Sequence, residues 1–185
     1  WYDKAVEFGD GFSALHVGSK FANGQGGTKD YKPASSWYRR GAVKGNPECQ
    51  NNLAVMYDFG EGVPKNAQEA VRWYQKAAEK GNEKAQYNLG MKYFIGEGIA
   101  RDYLQAYKWL NLAARKDENA RKQRDRLEEL MSAEQITEAQ RLCAERFRLL
   151  QRFGPHIEGR YPCAEALGRR DRLQPGHTDA DNEKL

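Results

Sequence analysis

The chain has 185 residues, of which 39% are hydrophobic and 30% charged, with a net charge of +4. That length suits one domain of ordinary size, and the low apolar share excludes a thick core in favour of a thin architecture that exposes much of each helix. Bases and acids alternate along the chain, which argues against a nucleic-acid partner, and no apolar run is long enough to span a bilayer.

In chain order, residues 1–9 read as the remnant of a preceding repeat, because Trp1 and Gly9 lie one period before Trp37 and Gly45. The abrupt start points to a cut boundary rather than a processed end. Location is therefore left open among cytoplasm, periplasm and secretion, with the scarcity of stapling cysteines leaning toward a reducing compartment. Residues 10–117 then repeat with a shift of 36. Gly24, Gly60 and Gly96 superpose, as do Gly26, Gly62 and Gly98; Trp37, Trp73 and Trp109; Ala34, Ala70 and Ala106; Phe21, Tyr57 and Tyr93. A period of this size marks stacked supersecondary units.

Each unit predicts two helices. In the middle unit the first runs from Pro47 to Phe59, with Cys49, Leu53, Met56 and Tyr57 on one side. Gly60 stops it, and Gly60-Glu61-Gly62 turns the chain. Asn66, like Asp30 and Asp102, is placed to cap the second helix with its side-chain oxygen. That helix, Ala67 to Lys80, is expected to bury Ala70, Trp73, Tyr74, Ala77 and Ala78. Gly45-Asn46 and Gly81-Asn82 end one unit and cap the next. The first unit is the weakest copy: Gly27 replaces the aliphatic residue of Val63 and Ile99, and Ser36 with Gly41 loosens its second helix.

After Asp117 the pattern changes. Residues 118–150 predict closing helices, one capped by Asn119 and running through Leu130, the next opened by a capping box of Ser132 and Gln135. Ile136, Ala139, Cys143, Phe147 and Leu150 would cover the last unit, while Arg141, Glu145 and Arg148 face water. Residues 151–185 show no period and read as an irregular or flexible tail.

The run Leu89 to Ala114, LGMKYFIGEGIARDYLQAYKWLNLAA, resembles a Sel1-like repeat, a relative of the tetratricopeptide repeat. The resemblance rests on the leucine-glycine pair, the aromatic residue, the G-x-G turn, the capping Asp and A-x-x-W followed by two alanines. It implies an all-α fold: a right-handed α-solenoid of antiparallel helix pairs closed by C-terminal helices. It also implies an adaptor that holds other proteins together. A few cysteine-rich members are linked to β-lactam binding or slow hydrolysis, but their paired cysteines are missing here.

Candidate chemistry is sparse. Cys49, Cys143 and Cys163 have no zinc-ligand spacing; Cys49 and Cys143 read as small buried hydrophobes, and a Cys143–Cys163 bridge is the alternative for the second. His16 aligns with Asn52 and Asn88 at a position of polar packing. Gly24-Gln25-Gly26 lacks the Lys-Ser/Thr that a phosphate loop requires. No residue set points to a catalytic centre, a metal or a cofactor.

The expected function is a non-catalytic scaffold that takes a protein or peptide in its concave groove. If Leu53 and Tyr57 point inward, Asn51, Val55 and Asp58 turn outward. One period away lie Leu15, Ser19 and Ala22, and on the other side Tyr87, Met91 and Phe94. The third set forms an apolar stripe suited to a docking peptide, unless the closing helices cover it. A polysaccharide or cell-wall fragment is the alternative ligand, and a cysteine-poor relative of the β-lactam hydrolases the remaining one.

Overall fold

A computed structural model of the chain describes residues 11–153 except Gly26, with side chains described through Glu145. The remnant repeat, Cys163, the tail from 154 onward and the side chains of Phe147, Arg148 and Leu150 lie outside the described residues. Those described form helices joined by short turns, without strands: α1 Gly11–Asn23, α2 Tyr31–Val43, α3 Pro47–Phe59, α4 Ala67–Glu79, α5 Glu83–Ile95, α6 Tyr103–Ala113, α7 Glu118–Glu128 and α8 Ala133–Phe153. None of these is long and apolar enough to cross a membrane.

The ends are set by local chemistry. Asn46, Asn66, Asn82 and Asp102 each accept a hydrogen bond from the backbone N–H three residues on, at 2.8–3.1 Å, which satisfies a donor that the first helical turn leaves unpaired. Asp30 does the same for Lys32 at 3.0 Å. Gly60 and Gly96 close α3 and α5 in the left-handed conformation, at φ 77° and 86°. The Ser132–Gln135 capping box forms reciprocally, at 3.0 and 3.3 Å. Asp117, not Asn119, caps α7: its carboxylate already takes the Asn119 N–H at 2.8 Å, placing Asn119 inside the first turn. That helix ends at Glu128, two residues short of the expected Leu130.

Helices pair as hairpins, α1 with α2, α3 with α4 and α5 with α6, and each hairpin stacks on the next. The all-α solenoid is thus as expected. The apolar seam runs through Ala34, Tyr38, Cys49, Leu53 and Met56, then Ala70, Val71, Tyr74, Ala77, Ala85 and Leu89, then Ala106, Tyr107, Leu110 and Leu127. Trp73 packs on both of the first two clusters and Trp109 on the second, so each indole reaches back to the preceding unit. Their surroundings differ in one respect. Trp37 and Trp73 are half-buried beneath Arg40 and Lys76, at 4.7 and 4.2 Å from the ring centres. Trp109 is 3% exposed; Leu112 takes the sequence position of those cations, and the neighbouring Lys108 lies 5.0 Å from its ring centre instead.

Rungs between units recur with the period. Gln50 and Gln86 donate their side-chain N–H groups to the carbonyls of Ala42 and Ala78, at 3.0 and 3.2 Å. Lys80 donates to the Gly45 carbonyl at 2.6 Å, and Lys116 meets Glu83 at 2.6 Å. In the second and third units the second glycine of the turn presses on the preceding unit: a methyl group on Gly62 would overlap the Tyr31 carbonyl, and one on Gly98 the Ala67 carbonyl. At the end of the stack Tyr107 donates to Glu128 at 2.9 Å and Arg124 to Asn111 at 3.1 Å, while α8 joins Ala139 to the last cluster. Arg141 and Glu145 face water and pair with each other.

Gly41 does not shorten α2, which is as long as α4. Its missing side chain makes room for the Cys49 sulfur, which a methyl group there would overlap. One period on, the same two places hold Ala77 and Ala85, both fully buried. Glycine with cysteine and alanine with alanine are two ways of filling one space. Gly41→Ala alone should therefore destabilise by about 2 kcal/mol through overpacking. Gly41→Ala combined with Cys49→Ala should return to within about 1 kcal/mol of the parent. Urea unfolding of the single and double variants checks this non-additivity.

Candidate functional site

Of the first helices, α1 lies against α3, and α3 and α5 stand close enough to exchange side-chain bonds. Asn88 on α5 donates to Asn51 on α3 at 3.5 Å, and Lys92 on α5 donates to Asp58 on α3 at 2.5 Å. They therefore form the inner face of the stack. The open row on α3 is Glu48, Asn52, Val55 and Phe59. With one helical repeat of about 100° per residue these fall in one narrow sector. The equivalents are Phe12, His16, Ser19 and Asn23 on α1, and Lys84, Asn88, Met91 and Ile95 on α5. Phe12, Phe59 and Ile95 are 73%, 71% and 59% exposed.

The expected rows share only their middle members with this surface: Ser19, Val55 and Met91. Asn51 is 4% exposed, a correction to its placement in the groove. Asp58 is also enclosed, with 12% of its side chain exposed. The physical reason is that α3 packs on α2 as well as on α4, while Asn51 and Asp58 are covered by their bonds to Asn88 and Lys92 of α5. Its buried arc extends to one side, and the open sector is not diametrically opposite Leu53. Leu15 is half-buried against the first cluster, and Tyr87, Met91 and Phe94 are half-buried against the cluster that α7 and α8 complete. Phe94 also meets the Tyr103 ring at 5.9 Å. Ser19 bonds to the Tyr38 hydroxyl at 3.2 Å. His16, Asn52 and Asn88 lie along the open row; His16 is exposed, while the half-buried Asn52 and Asn88 bond to Asn51, which fits a position of polar packing. One signal could have placed them there: this position is polar in all three units, whereas the position before it holds Leu15, Asn51 and Tyr87.

The ionisable groups beneath the row satisfy one another. Lys92, with 10% of its side chain exposed, bonds to Asp58 at 2.5 Å and to Glu97 at 2.7 Å. Burial alone would lower its pKa, but the two carboxylates outweigh burial and leave it raised. The same Lys92 bond holds the Glu97 carboxyl below its usual range. Tyr74 reaches Asp58 at 3.5 Å; burial, then the Asp58 charge, pushes its phenol up. Burial pushes the Cys49 thiol up to about 12, so it is a protonated core side chain at neutral pH and no nucleophile. Among the described residues no group of His, Cys, Asp and Glu is arranged to hold a metal ion.

Three consecutive segments, 13–46, 47–82 and 83–118, match the family model of the Sel1 repeat. Among solved structures, the chain is similar to a protective antigen present in uropathogenic Escherichia coli strains and displaying an SLR fold. The identity is 30% and the TM-score 0.71 over all of this chain, which spans 37% of that protein's length. It is also similar to a Sel1 repeat protein from Oxalobacter formigenes, at 33% identity and a TM-score of 0.61, covering 67% of this chain and 94% of the other. Cysteine rich protein B of Helicobacter pylori shares 25% identity with a TM-score of 0.52, over 64% of this chain and 86% of its own. No curated protein matches the chain.

Proposed function

Because the chain belongs to the Sel1-repeat family, we propose that it is a non-catalytic scaffold that holds a partner protein or peptide against the inner face of its first helices. The observation that carries this reading is the continuous open row across α1, α3 and α5. Each helix carries one exposed apolar end, Phe12, Phe59 and Ile95, and one exposed polar end, Asn23, Glu48 and Lys84, and the middle of the row is lined by His16, Asn52 and Asn88 around the half-buried Val55 and Met91. Apolar anchors flanking polar groups suit an extended or helical segment. Leu15, Ser19, Asn51, Asp58, Tyr87 and Phe94 act from beneath, holding the helices in register. The enclosed ionisable groups there, Asp58 and Lys92, are bonded to each other and leave neither aimed at a substrate. A sugar-binding face would need aromatic platforms spaced along it, yet the exposed Phe12 and Phe59 stand at opposite ends of their helices and Trp37, Trp73 and Trp109 belong to the second helices. A hydrolase would need an activated nucleophile, which Cys49 is not.

Phe59→Ser with Ile95→Ser should leave the melting temperature unchanged, since both side chains are exposed, and weaken capture of a purified partner by about tenfold, the effect expected from losing two anchors. A photo-crosslinker at Asn52 should trap the partner, and one at Gln75 on the opposite side should not. Undiminished capture by the folded double variant would remove the inner face as the site.

A further inference from the structure

Charge that alternates along the chain is segregated in space. The second helices with their closing residues, 31–44, 67–80 and 103–116, contain ten Lys and Arg against two Glu. The first helices, 11–24, 47–60 and 83–96, contain three bases and three acids. The outer face is therefore basic while the inner one is balanced. Arg39, Arg72, Lys76 and Lys80 are exposed along it; the Arg72 side chain is 73% exposed and pairs with Glu69 at 2.6 Å, which leaves part of its guanidinium open to solvent. Between α2 and α4 the same face opens into a cavity of about 410 Å³. Ala42, Val43 and Trp73 contribute its apolar lining, and Lys76, Glu79 and Lys80 its charged one. Val43 is 72% exposed there.

We propose that this outer face docks an acidic segment of a partner protein, with carboxylates over Arg72, Lys76 and their neighbours and one apolar side chain seated against Val43 and Trp73. A surface of one sign attracts a chain of the other and speeds its encounter. An apolar pocket within that surface adds an anchor that charge alone does not supply. A nucleic acid fits less well: the indoles lie under cations rather than open for base stacking. This surface is separate from the inner row, so the two readings stand or fall independently.

The probe is a fluorescein-labelled peptide of Asp and Glu with one central leucine, followed by fluorescence anisotropy on the full chain. Binding should weaken steeply as salt rises, as exposed charges are screened beyond a Debye length of about 8 Å at physiological ionic strength. Arg72→Glu with Lys76→Glu should weaken it by about tenfold, and Phe59→Ser on the inner face should leave it unchanged. Replacing the probe's leucine by glycine should also weaken it. Should the charge reversals perturb the melt, Arg72→Gln with Lys76→Gln takes their place. Absence of binding, equal binding by the folded outer-face variant, or stronger binding of a single-stranded oligonucleotide of the same charge would overturn the assignment.

Discussion

Gly62→Ala and Gly98→Ala are expected to destabilise the protein by about 3 kcal/mol each, whereas Gly60→Ala and Gly96→Ala should cost about 1 kcal/mol. All four residues have positive φ, between 70° and 86°, so all four pay the left-handed strain of an added Cβ. The difference lies in what the methyl group meets. At Gly60 the nearest atom is the Lys65 Cβ at 3.3 Å, and at Gly96 the Arg101 Cβ at 3.2 Å, tight contacts within the same turn that a shift of a few tenths of an ångström relieves. At Gly62 and Gly98 it meets the first carbonyl of the preceding unit's second helix, which is backbone and cannot turn aside. Ser35 already fixes this junction by donating to the Gly62 carbonyl at 3.3 Å. Thermal unfolding should show a fall of about 10 °C for Gly62→Ala, with hydrogen exchange rising first at the start of α2. Equal losses at Gly60 and Gly62 would show that only the turn, and not the contact between units, constrains the second glycine.

The second large effect concerns Lys92. Lys92→Ala should destabilise by about 3 kcal/mol, because it leaves Asp58 enclosed without its cation. The preceding junction supplies the remedy. One period earlier, Lys92 corresponds to Met56 and Asp58 to Ala22, and there the contact is apolar. Lys92→Met with Asp58→Ala should therefore recover most of the loss, which a double-mutant cycle in urea measures. The gap between parent and Lys92→Ala also depends on pH. Glu97 titrates lower in the folded state, so its contribution is present above its ordinary value of 4.5 and disappears as pH falls through the lowered one. Lys92 titrates higher when folded, so its contribution is present below its ordinary value of 10.5 and disappears as pH rises through the raised one. The gap should be widest between those limits and narrow in acid. As Glu97 is exposed on one side, its share is the smaller.

What could be read from the residues was what acts locally. Caps such as Asn46, Asn66 and Asp102 declare themselves because their partners lie three residues away, and the stops at Gly60 and Gly96 because φ is a property of one residue. Asp117 was displaced by Asn119 only because both are good caps. Contacts across units were harder to see. The turn glycines were legible as turns, but the burden on Gly62 comes from Tyr31, far back in the chain. The open row was misplaced by about one residue because a helix in a stack is buried on two sides, and a single apolar stripe does not reveal the second. Val71, 5% exposed, is buried for the same reason, while Trp73 keeps an edge in solvent. The outer charge was invisible to a count along the chain because successive helices alternate between the two faces.

The lysine at position 92 has a bearing on assembly. Were the third hairpin to skip the second and settle on the first, its ammonium would keep Glu97 of its own hairpin but would lie against the Ala22 methyl group in place of the Asp58 carboxylate. A second copy offering its first hairpin to the same surface would meet the same mismatch. Tandem arrays are prone to such slippage and run-on association; here one cation, matched by one acid in the correct neighbour, acts as a proofreading mark against both.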